Sequence, residues 1–327
     1  MAQYRTIIEP EPSKNKISYN TPVLFMGSCF AENIGDRMEK LKFPTIVNPF
    51  GVLYNPSSVR SGLEILLDNR DFNENDLHFF NDQWLSFYHD TEFSNENKEK
   101  CLDKINKSVN FARKQLQTAN YLIITFGTAW TYQYIKTGNI VSNCHKIPAN
   151  EFERRKLTVE DIFVQWAKLL NRVEDLNPDL KIIFTVSPVR HWKDGAVQNQ
   201  LSKSTLILAI NQLIKIFDNV EYFPAYEIMM DDLRDYRFYA DDMLHPSGVA
   251  IDYIWDQFSK TYFGKETSEI IKEVSQIIQA KNHRPLNPDT KSHKKFIQNQ
   301  VAKINKLSER YSYLNFKSEL DYFYNNL

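Results

Sequence analysis

Glycine is scarce in this chain, which has 9 glycines in 327 residues. Phosphate-binding loops of the Rossmann and P-loop kinds need closely spaced glycines, and neither pattern is present in the sequence. Cysteine is also rare: Cys29, Cys101 and Cys144 fit no disulfide framework and no zinc-ligand spacing, which favours reduced thiols. The composition therefore indicates a protein that needs no nucleotide, no metal and no organic cofactor.

Long apolar runs and an excess of one charge are missing as well. No stretch of about 18 apolar residues is present, so no membrane-spanning helix is expected. The segment from Met1 to Thr6 is polar and lacks the apolar centre of a signal peptide, which favours a cytoplasmic protein. The formal net charge is -1, so no general attraction to nucleic acid or to an anionic membrane is expected.

The pattern of apolar residues, which make up 42% of the chain, predicts a layered α/β fold. Strands are predicted at residues 23–26, 45–47, 121–126, 181–186 and 220–223. Helices are predicted at residues 31–41, 57–68, 101–118, 159–174, 201–217 and 251–262. This alternation indicates a three-layer α/β/α sandwich with a mostly parallel, flavodoxin-like sheet.

Two further regions depart from this alternation. A hairpin is expected within residues 131–141, and the polar stretch at 71–99 is a candidate lid over a binding site. After residue 264 the chain has two helical stretches separated by a break at 282–288. We therefore predict a domain at residues 1–264 and a helical C-terminal extension at 265–327, which is a candidate contact for homo-oligomers.

Ser28 follows the first predicted strand and precedes the first predicted helix, in the segment Gly-Ser-Cys-Phe-Ala at residues 27–31. Parallel sheets bind ligands at the carboxyl ends of their strands, and a helix N-terminus favours a negative charge. Position alone, however, favours a serine that simply caps the helix.

Asp242 and His245 form a second constellation, just before the last core helix. An Asp three residues before a His, in a turn closed by Pro246, can orient the imidazole and stabilise its charge. The imidazole can then take the proton of a serine hydroxyl. Asp241 competes for the same role as Asp242.

These two constellations resemble those of the SGNH (GDSL-like) hydrolases, which have a nucleophilic serine after the first strand and an Asp-x-x-His pair near the C-terminus. More closely, the chain is similar to the GSCFA family over roughly residues 20–250. Besides residues 27–31, four ordered segments match that family: residues 48–51 (NPFG), 126–130 (FGTAW), 143–146 (NCHK) and 187–192 (SPVRHW).

The resemblance implies that Ser28 is the nucleophile, His245 the general base and Asp242 its partner. It also implies an oxyanion hole made by the backbone N–H of Ser28 or Cys29 and by a donor from Gly51. SGNH enzymes add the side chain of an Asn two residues after a glycine in a middle-strand loop, but here Gly127 is followed by threonine and alanine. Thr128, Asn143 and His145 are candidates for this third donor.

Other residues are candidates for substrate binding. Arg190 and His191 follow a buried strand and are expected at the same sheet edge as Ser28, where Arg190 either binds an anionic group or pairs with an acidic neighbour. Trp130, with Trp84 and His89, either lines a pocket or packs under a loop. Cys144 and His145 are disfavoured as a nucleophilic pair, because adjacent residues of an extended segment point in opposite directions.

The expected reaction is therefore the hydrolysis of an ester through an acyl-enzyme at Ser28. A small acyl group, such as acetyl, on a carbohydrate-like alcohol is the preferred substrate class, by analogy with the family alone. Two other functions remain open: an acyltransferase with the same triad, and a binding protein that has kept the fold and lost catalysis.

Overall fold

The computed structural model of the protein describes residues 5–283 and 286–326. The first four residues, on which the leader-peptide expectation partly rests, and part of the predicted helix break lie outside the described residues. Within them, the strands are β1 (Val23–Gly27), β2 (Thr45–Val47), β3 (His78–Phe80), β4 (Gln83–Leu85), β5 (Tyr121–Phe126), β6 (Trp130–Tyr134), β7 (Asn139–Val141), β8 (Phe152–Lys156), β9 (Lys181–Val186) and β10 (Val220–Phe223). The helices are α1 (Cys29–Lys40), α2 (Pro56–Leu67), α3 (Lys98–Thr118), α4 (Val159–Leu176), α5 (Gly195–Ile214), α6 (Ala225–Glu227), α7 (Gly248–Tyr262), α8 (Lys265–Asn282), α9 (Lys291–Arg310) and α10 (Lys317–Tyr324).

The central sheet is parallel throughout, with the strand order β10-β9-β5-β1-β2. The chain passes from β1 to β2 at one edge and then returns to β5, on the other side of β1. Such a reversal leaves a crevice at the carboxyl ends of β1 and β5, which is where open α/β sheets bind their ligands.

Successive residues of the central strands point into two separate cores, because side chains alternate across a strand. Leu24 and Met26 pack with α2, α3, α4 and α5 on one face of the sheet. Val23 and Phe25 pack with α1, α7 and the C-terminal helices on the other face. The predicted three-layer α/β/α fold with a parallel sheet and a helical C-terminal region is thereby confirmed.

Several elements differ in detail from the sequence prediction. Helix α3 begins three residues earlier than expected because the Asn97 side chain caps it, accepting the Lys100 N–H at 2.8 Å. The hairpin expected at 131–141 is present as β6 and β7. Strand β8 was not predicted, since its sequence FERRK contains one apolar residue and its Glu153 and Arg155 are exposed.

The segment at 71–99 is fixed to the body of the protein and is not a free lid. Its β3–β4 hairpin turns at Asn81 and Asp82, which both have positive φ. Phe72 and Phe93 belong to the main core, and His89 is fully buried. The segment therefore packs against the main core and bonds to the loop after β2, where Asp90 donates its N–H to the Phe50 carbonyl.

The C-terminal helices α8, α9 and α10 bury their apolar stripes within the chain. Val274, Ile304 and Phe323 pack in the same core as α1 and α7. Lys42, just after α1, donates to both carboxylate oxygens of the buried Glu319 at 2.9 Å. The extension is thus packed against the α/β domain and does not project from it.

Gly27, the last residue of β1, lies against β5 more closely than any side chain would permit. Its φ is 138°, and a Cβ atom at this position would lie 2.1 Å from the Thr125 carbonyl oxygen. Both the backbone conformation and the space therefore require glycine here.

We expect Gly27→Ala to lower the free energy of unfolding by on the order of 3 kcal/mol or more, because it adds a backbone clash to an unfavourable φ. Gly248→Ala is the matched control, since nothing lies within 4 Å of its added Cβ. That variant is expected within about 1 kcal/mol of the unsubstituted protein. Urea unfolding measures both, and equal stability of the two variants would contradict the assignment of strain to Gly27.

Candidate active site

Ser28 lies in the crevice between β1 and β5, at the turn from β1 into α1. It is the N-cap residue of α1, with φ -74° and ψ 174°, yet its side chain makes no capping hydrogen bond. The residue is 2% exposed, and within residues 5–283 and 286–326 its Oγ has no hydrogen-bond partner. A capping serine normally accepts an N–H from the first helical turn, so helix capping does not explain this hydroxyl.

The turn before Ser28 is fixed by hydrogen bonds to its backbone. The buried Asn48 accepts the Gly27 N–H with its Oδ1 at 2.8 Å, and Leu53 donates its N–H to the Gly27 carbonyl at 2.8 Å. Ser28 itself donates its N–H to the Thr125 carbonyl at 3.1 Å. These bonds engage the backbone of Gly27 and Ser28, whereas the Ser28 hydroxyl has no partner in the described part of the chain.

Asp242 and His245 form the pair that their spacing predicts. Asp242 Oδ2 lies 2.5 Å from His245 Nδ1, while Oδ1 accepts the N–H groups of Leu244 and His245 at 2.9 Å. The backbone N–H groups, His245 first, are the largest cause that lowers the pKa of Asp242 to about 2. Asp242 is therefore ionised and holds the imidazole by its Nδ1, whereas the equally exposed Asp241 side chain has no hydrogen bond to another described residue.

Ser28 and His245 are not hydrogen-bonded to each other in the described part of the chain. The His245 side chain is 48% exposed, whereas Ser28 is buried. The structure thus brings Asp242 and His245 together and holds Ser28 apart from them. Catalytic hydrogen bonds are often long before substrate binds, so the missing contact does not contradict the predicted triad.

His191 lies in the region between these two groups. Its ring meets Tyr54 edge-on at 5.8 Å between centroids, and the Tyr54 hydroxyl lies 3.8 Å from Cys29 Sγ, next to Ser28. Burial lowers the pKa of His191 to about 4, with smaller contributions from the charges of Lys203 and His245. His191 is therefore a neutral imidazole at physiological pH.

The backbone donors expected for an oxyanion are only partly available. Gly51 donates its N–H to the Asn48 carbonyl at 2.7 Å and is engaged in its own turn. The Ser28 N–H is also engaged, as described above. Cys29 is the first residue of α1, and the N–H groups of a first helical turn have no carbonyl partner within the helix. The Cys29 N–H is thus a donor of this turn that remains for an oxyanion.

The side chains considered for a third donor have other partners. Thr128 Oγ1 lies 3.1 Å from Ser202 Oγ on α5. His145 is 7% exposed, its Nε2 lies 2.9 Å from the Ser86 carbonyl, and burial lowers its pKa. Asn143 accepts the His145 N–H at 2.8 Å. His145 and Asn143 therefore hold their own turn together and bind it to the loop after β4.

None of the three thiols has the environment of a nucleophile. Burial is the largest cause that raises the pKa of Cys29, of Cys101 and of Cys144, the last to about 11. Because the thiolate is the reactive form, these raised pKa values favour inert thiols.

A cavity of about 350 Å³ opens beside the Ser28 turn. Its lining includes Tyr54, Thr128, Trp130, His191 and Lys193, whereas Ser28 and His245 do not line it. Asn143 and Cys144 also reach the cavity, whereas the buried His89 does not line it. The cavity has the size, and the mixture of aromatic and polar groups, that a small organic ligand requires.

Arg190 follows β9 and has no acidic partner in the described residues. Its Nε donates to Asn199 Oδ1 at 3.3 Å, and its guanidinium lies 5.4 Å from the centre of the Trp192 ring. Arg190 therefore does not pair with an acidic neighbour among the described residues.

Two residues of α5 at this site were not predicted from the sequence. Ser202 contacts the loop after β5, and Lys203 is fully buried, with its Nζ bonded to two loop carbonyls. The signal was present in the sequence, since Lys203 lies on the same face of the helix as the apolar residues Leu206, Ile210 and Leu213. A charged residue on a buried stripe indicates a polar partner inside the fold.

No group of three or more His, Cys, Asp or Glu side chains among residues 5–283 and 286–326 is arranged to hold a metal ion. None of the helices in the same residues is long and apolar enough to cross a membrane.

Comparison with known proteins links the chain to one family. The GSCFA family matches residues 22–258, and the GSCFA domain protein C-terminal domain matches residues 274–327. No curated protein matches the chain significantly. Similar solved structures include a carbohydrate esterase family 3 protein from Talaromyces cellulolyticus, with 10% identity, a TM-score of 0.31, and coverage of 77% of this chain and 99% of that one. An acetyl esterase variant with acetate ion has 11% identity, a TM-score of 0.30, and coverage of 78% and 99%. An acetyl xylan esterase from Butyrivibrio proteoclasticus has 12% identity, a TM-score of 0.30, and coverage of 76% and 67%. The family match spans more than half of the chain, so the protein belongs to the GSCFA family, as its five motifs predicted.

Proposed function

We propose that this protein is a serine esterase that hydrolyses a small acyl ester, such as an acetyl ester, of a carbohydrate-like alcohol. Ser28 is the nucleophile, His245 the general base and Asp242 the residue that orients His245. The observation that carries the proposal is the Ser28 hydroxyl, which is buried at the N-cap of α1 without capping it.

A buried hydroxyl without a partner is costly, since it has lost its hydrogen bonds to water. Ser57, Thr125 and Thr185 also have buried hydroxyls without a partner in the described residues, so the position of Ser28 after β1 distinguishes it from them. At the carboxyl end of β1, Ser28 faces the crevice in which a parallel sheet binds its ligand. The same position brings the first turn of α1, and the Cys29 N–H, next to the reacting carbonyl.

The reaction proceeds in two steps. In the first, Ser28 Oγ attacks the acyl carbonyl while His245 Nε2 takes the hydroxyl proton, and the Cys29 N–H binds the oxyanion. The alcohol then leaves with the proton from His245. In the second step, His245 takes a proton from water, the hydroxide attacks the acyl-enzyme, and Ser28 regains its proton as the acid is released.

His245 must approach Ser28 for the first step, because the two side chains are not in contact. The half-exposed imidazole has room to do so, and Asp242 stays bound to its Nδ1. Since the pKa of Asp242 is lowered to about 2, it remains a carboxylate and stabilises the imidazolium that forms.

The alcohol part of the ester is assigned to the cavity of about 350 Å³. Trp130 offers an aromatic surface, and Lys193 and Asn143 offer polar groups for hydroxyls. An acyltransferase would use the same cavity for an acceptor alcohol, so product analysis with and without a sugar acceptor distinguishes transfer from hydrolysis.

We expect a fluorophosphonate probe to label Ser28, and Ser28→Ala to lose both the label and about 10⁶-fold in kcat for p-nitrophenyl acetate. Ser57→Ala is the matched control: Ser57 is also 2% exposed and its Oγ also has no partner. That variant should keep the label and the activity. Labelling that survives Ser28→Ala would reject the nucleophile, and an unlabelled wild type would favour a binding protein.

Asp242→Asn is expected to lower kcat by about 10⁴-fold. The amide still accepts the two backbone N–H groups but presents its own N–H to His245 Nδ1, which favours the tautomer that cannot accept the Ser28 proton. Asp241→Asn, at the exposed neighbouring position, should remain within a few-fold of wild type. Equal losses in the two variants, measured by steady-state kinetics, would contradict the choice of Asp242.

Cys29, Cys101 and Cys144 should react slowly with iodoacetamide in the native protein and rapidly in denaturant, because burial keeps them as thiols. Mass spectrometry of timed samples measures this. A thiol that is modified rapidly in the native state, with parallel loss of esterase activity, would favour a cysteine nucleophile over Ser28.

A further inference from the structure

Lys203 is a lysine without exposed surface, in the middle of α5. It lies on the same side of the helix as Leu206, Ile210 and Leu213, which pack into the main core. Burying an ammonium group among such residues is unfavourable unless the group is hydrogen-bonded. The partners of Lys203 therefore explain why a charge is retained there.

Those partners are the first carbonyls after two central strands. Lys203 Nζ donates to the Gly127 carbonyl at 2.7 Å, directly after β5, and to the Ser187 carbonyl at 2.6 Å, directly after β9. Above the ammonium lies the ring of Tyr226, at 5.6 Å from its centroid. One side chain thus ties together two adjacent strand ends at the ligand-binding edge of the sheet.

One tied segment lies beside Ser28, and the other leads to His191, which lines the neighbouring cavity. A Cβ atom added to Gly127 would lie 3.4 Å from Ser28 Cβ, so the Gly127 backbone is next to the nucleophile. Ser187 begins the loop that leads to Arg190 and His191. A shift of the Gly127 carbonyl would therefore move a wall of the crevice in which Ser28 lies, and a shift of the Ser187 carbonyl would move the loop that leads to His191.

The residue before Lys203 holds the same loop from the same helix. Ser202 Oγ accepts the Ala129 N–H at 2.8 Å and lies 3.1 Å from Thr128 Oγ1. The Thr128 hydroxyl is thus directed towards α5. Helix α5 also places the positive charge of Lys203 against this loop, at the Gly127 carbonyl.

We propose that Lys203 is a positioning residue of the esterase reaction. It fixes the Gly127 carbonyl, in the segment beside Ser28, and the Ser187 carbonyl after β9, and its buried ammonium provides a positive potential for the oxyanion. This inference rests on the proposed function. A charge fixed in a water-excluded site stabilises developing negative charge without reorganisation during the reaction.

The surroundings of Lys203 make its charge sensitive to pH. Arg190 is the charged group that acts on it, the neutral His191 and the Tyr226 ring lie nearby, and the Tyr226 hydroxyl is bonded to Gln200. Burial, and to a smaller extent Arg190, lowers the pKa of Lys203 to about 7. Raising the pH through this range removes the charge, while a neutral amine can still donate to both carbonyls.

The test compares Lys203→Met, Lys203→Arg and wild type on both sides of pH 7. The readouts are kcat and KM for p-nitrophenyl acetate and the rate at which a fluorophosphonate labels Ser28. Leu213→Ala is the stability control, because it removes a fully buried side chain farther along the same helix.

We expect Lys203→Met to lose about 10² to 10³ in kcat, with KM within a few-fold, as when an oxyanion donor is removed. Wild type should lose acylation rate at alkaline pH, and this decline should be absent from the pH profiles of both Lys203 variants. Lys203→Arg keeps the charge and should retain more activity than Lys203→Met. Leu213→Ala should melt at a lower temperature and keep both the kcat and the pH profile of wild type.

Three results would overturn the inference. The first is a Lys203→Met enzyme with the kcat and pH profile of wild type, and the second is a loss that Leu213→Ala reproduces. The third applies if Lys203→Met does not fold. In that case, a decline in acylation rate at alkaline pH that is absent from wild type, or that is the same in Lys203→Arg as in wild type, would overturn the inference. In each case Ser28 would still be labelled in wild type, whereas failure of the proposed function would leave Ser28 unlabelled.

Discussion

The close contact between Gly27 and the Thr125 carbonyl is the constraint on which the rest of the site depends. Without a Cβ at Gly27, β1 can run against β5 to its last residue and turn sharply into α1. Asn48 accepts the Gly27 N–H and Leu53 donates to the Gly27 carbonyl, and these two hydrogen bonds fix the conformation of the turn. Ser28 is thereby held beside Gly127, and the two strand ends that border the crevice remain in register.

Burial favours the neutral form of several ionisable side chains around this turn. It raises the pKa of Cys29 and of Tyr54 and lowers the pKa of His191, and each of these shifts favours the neutral form. Asp242 is the exception, because it is exposed and bound by backbone N–H groups that favour the carboxylate. The ionisable side chains next to Ser28 are thus neutral, whereas the Asp242 carboxylate lies on the exposed turn that contains His245.

The sequence predicted the fold and the Asp242–His245 contact well, since each depends on local pattern. Alternating apolar runs indicate a parallel sheet, and a three-residue spacing closed by proline brings a carboxylate to an imidazole. It predicted the donors around Ser28 poorly. Gly51 donates its N–H to the Asn48 carbonyl within its own turn, and Thr128 lies against Ser202 of the distant α5. Lys203 lies on an apolar stripe, which indicates a polar partner, but its two carbonyl partners are 16 and 76 residues away and the pattern does not identify them.

Ser28 and His245 lie on two turns that are held by different contacts. The Ser28 turn is fixed by the sheet, and the neighbouring loop after β5 is fixed by α5 through Ser202 and Lys203. The Asp242–His245 turn is held chiefly by its own hydrogen bonds, and both side chains are about half exposed. Because the Ser28 turn contains the proposed nucleophile and the Cys29 N–H, the proposed reaction starts from a fixed geometry on that side. It requires the Asp242–His245 turn to bring one imidazole nitrogen to the hydroxyl, and the hydrogen bonds between Asp242 and His245 would keep the two residues together.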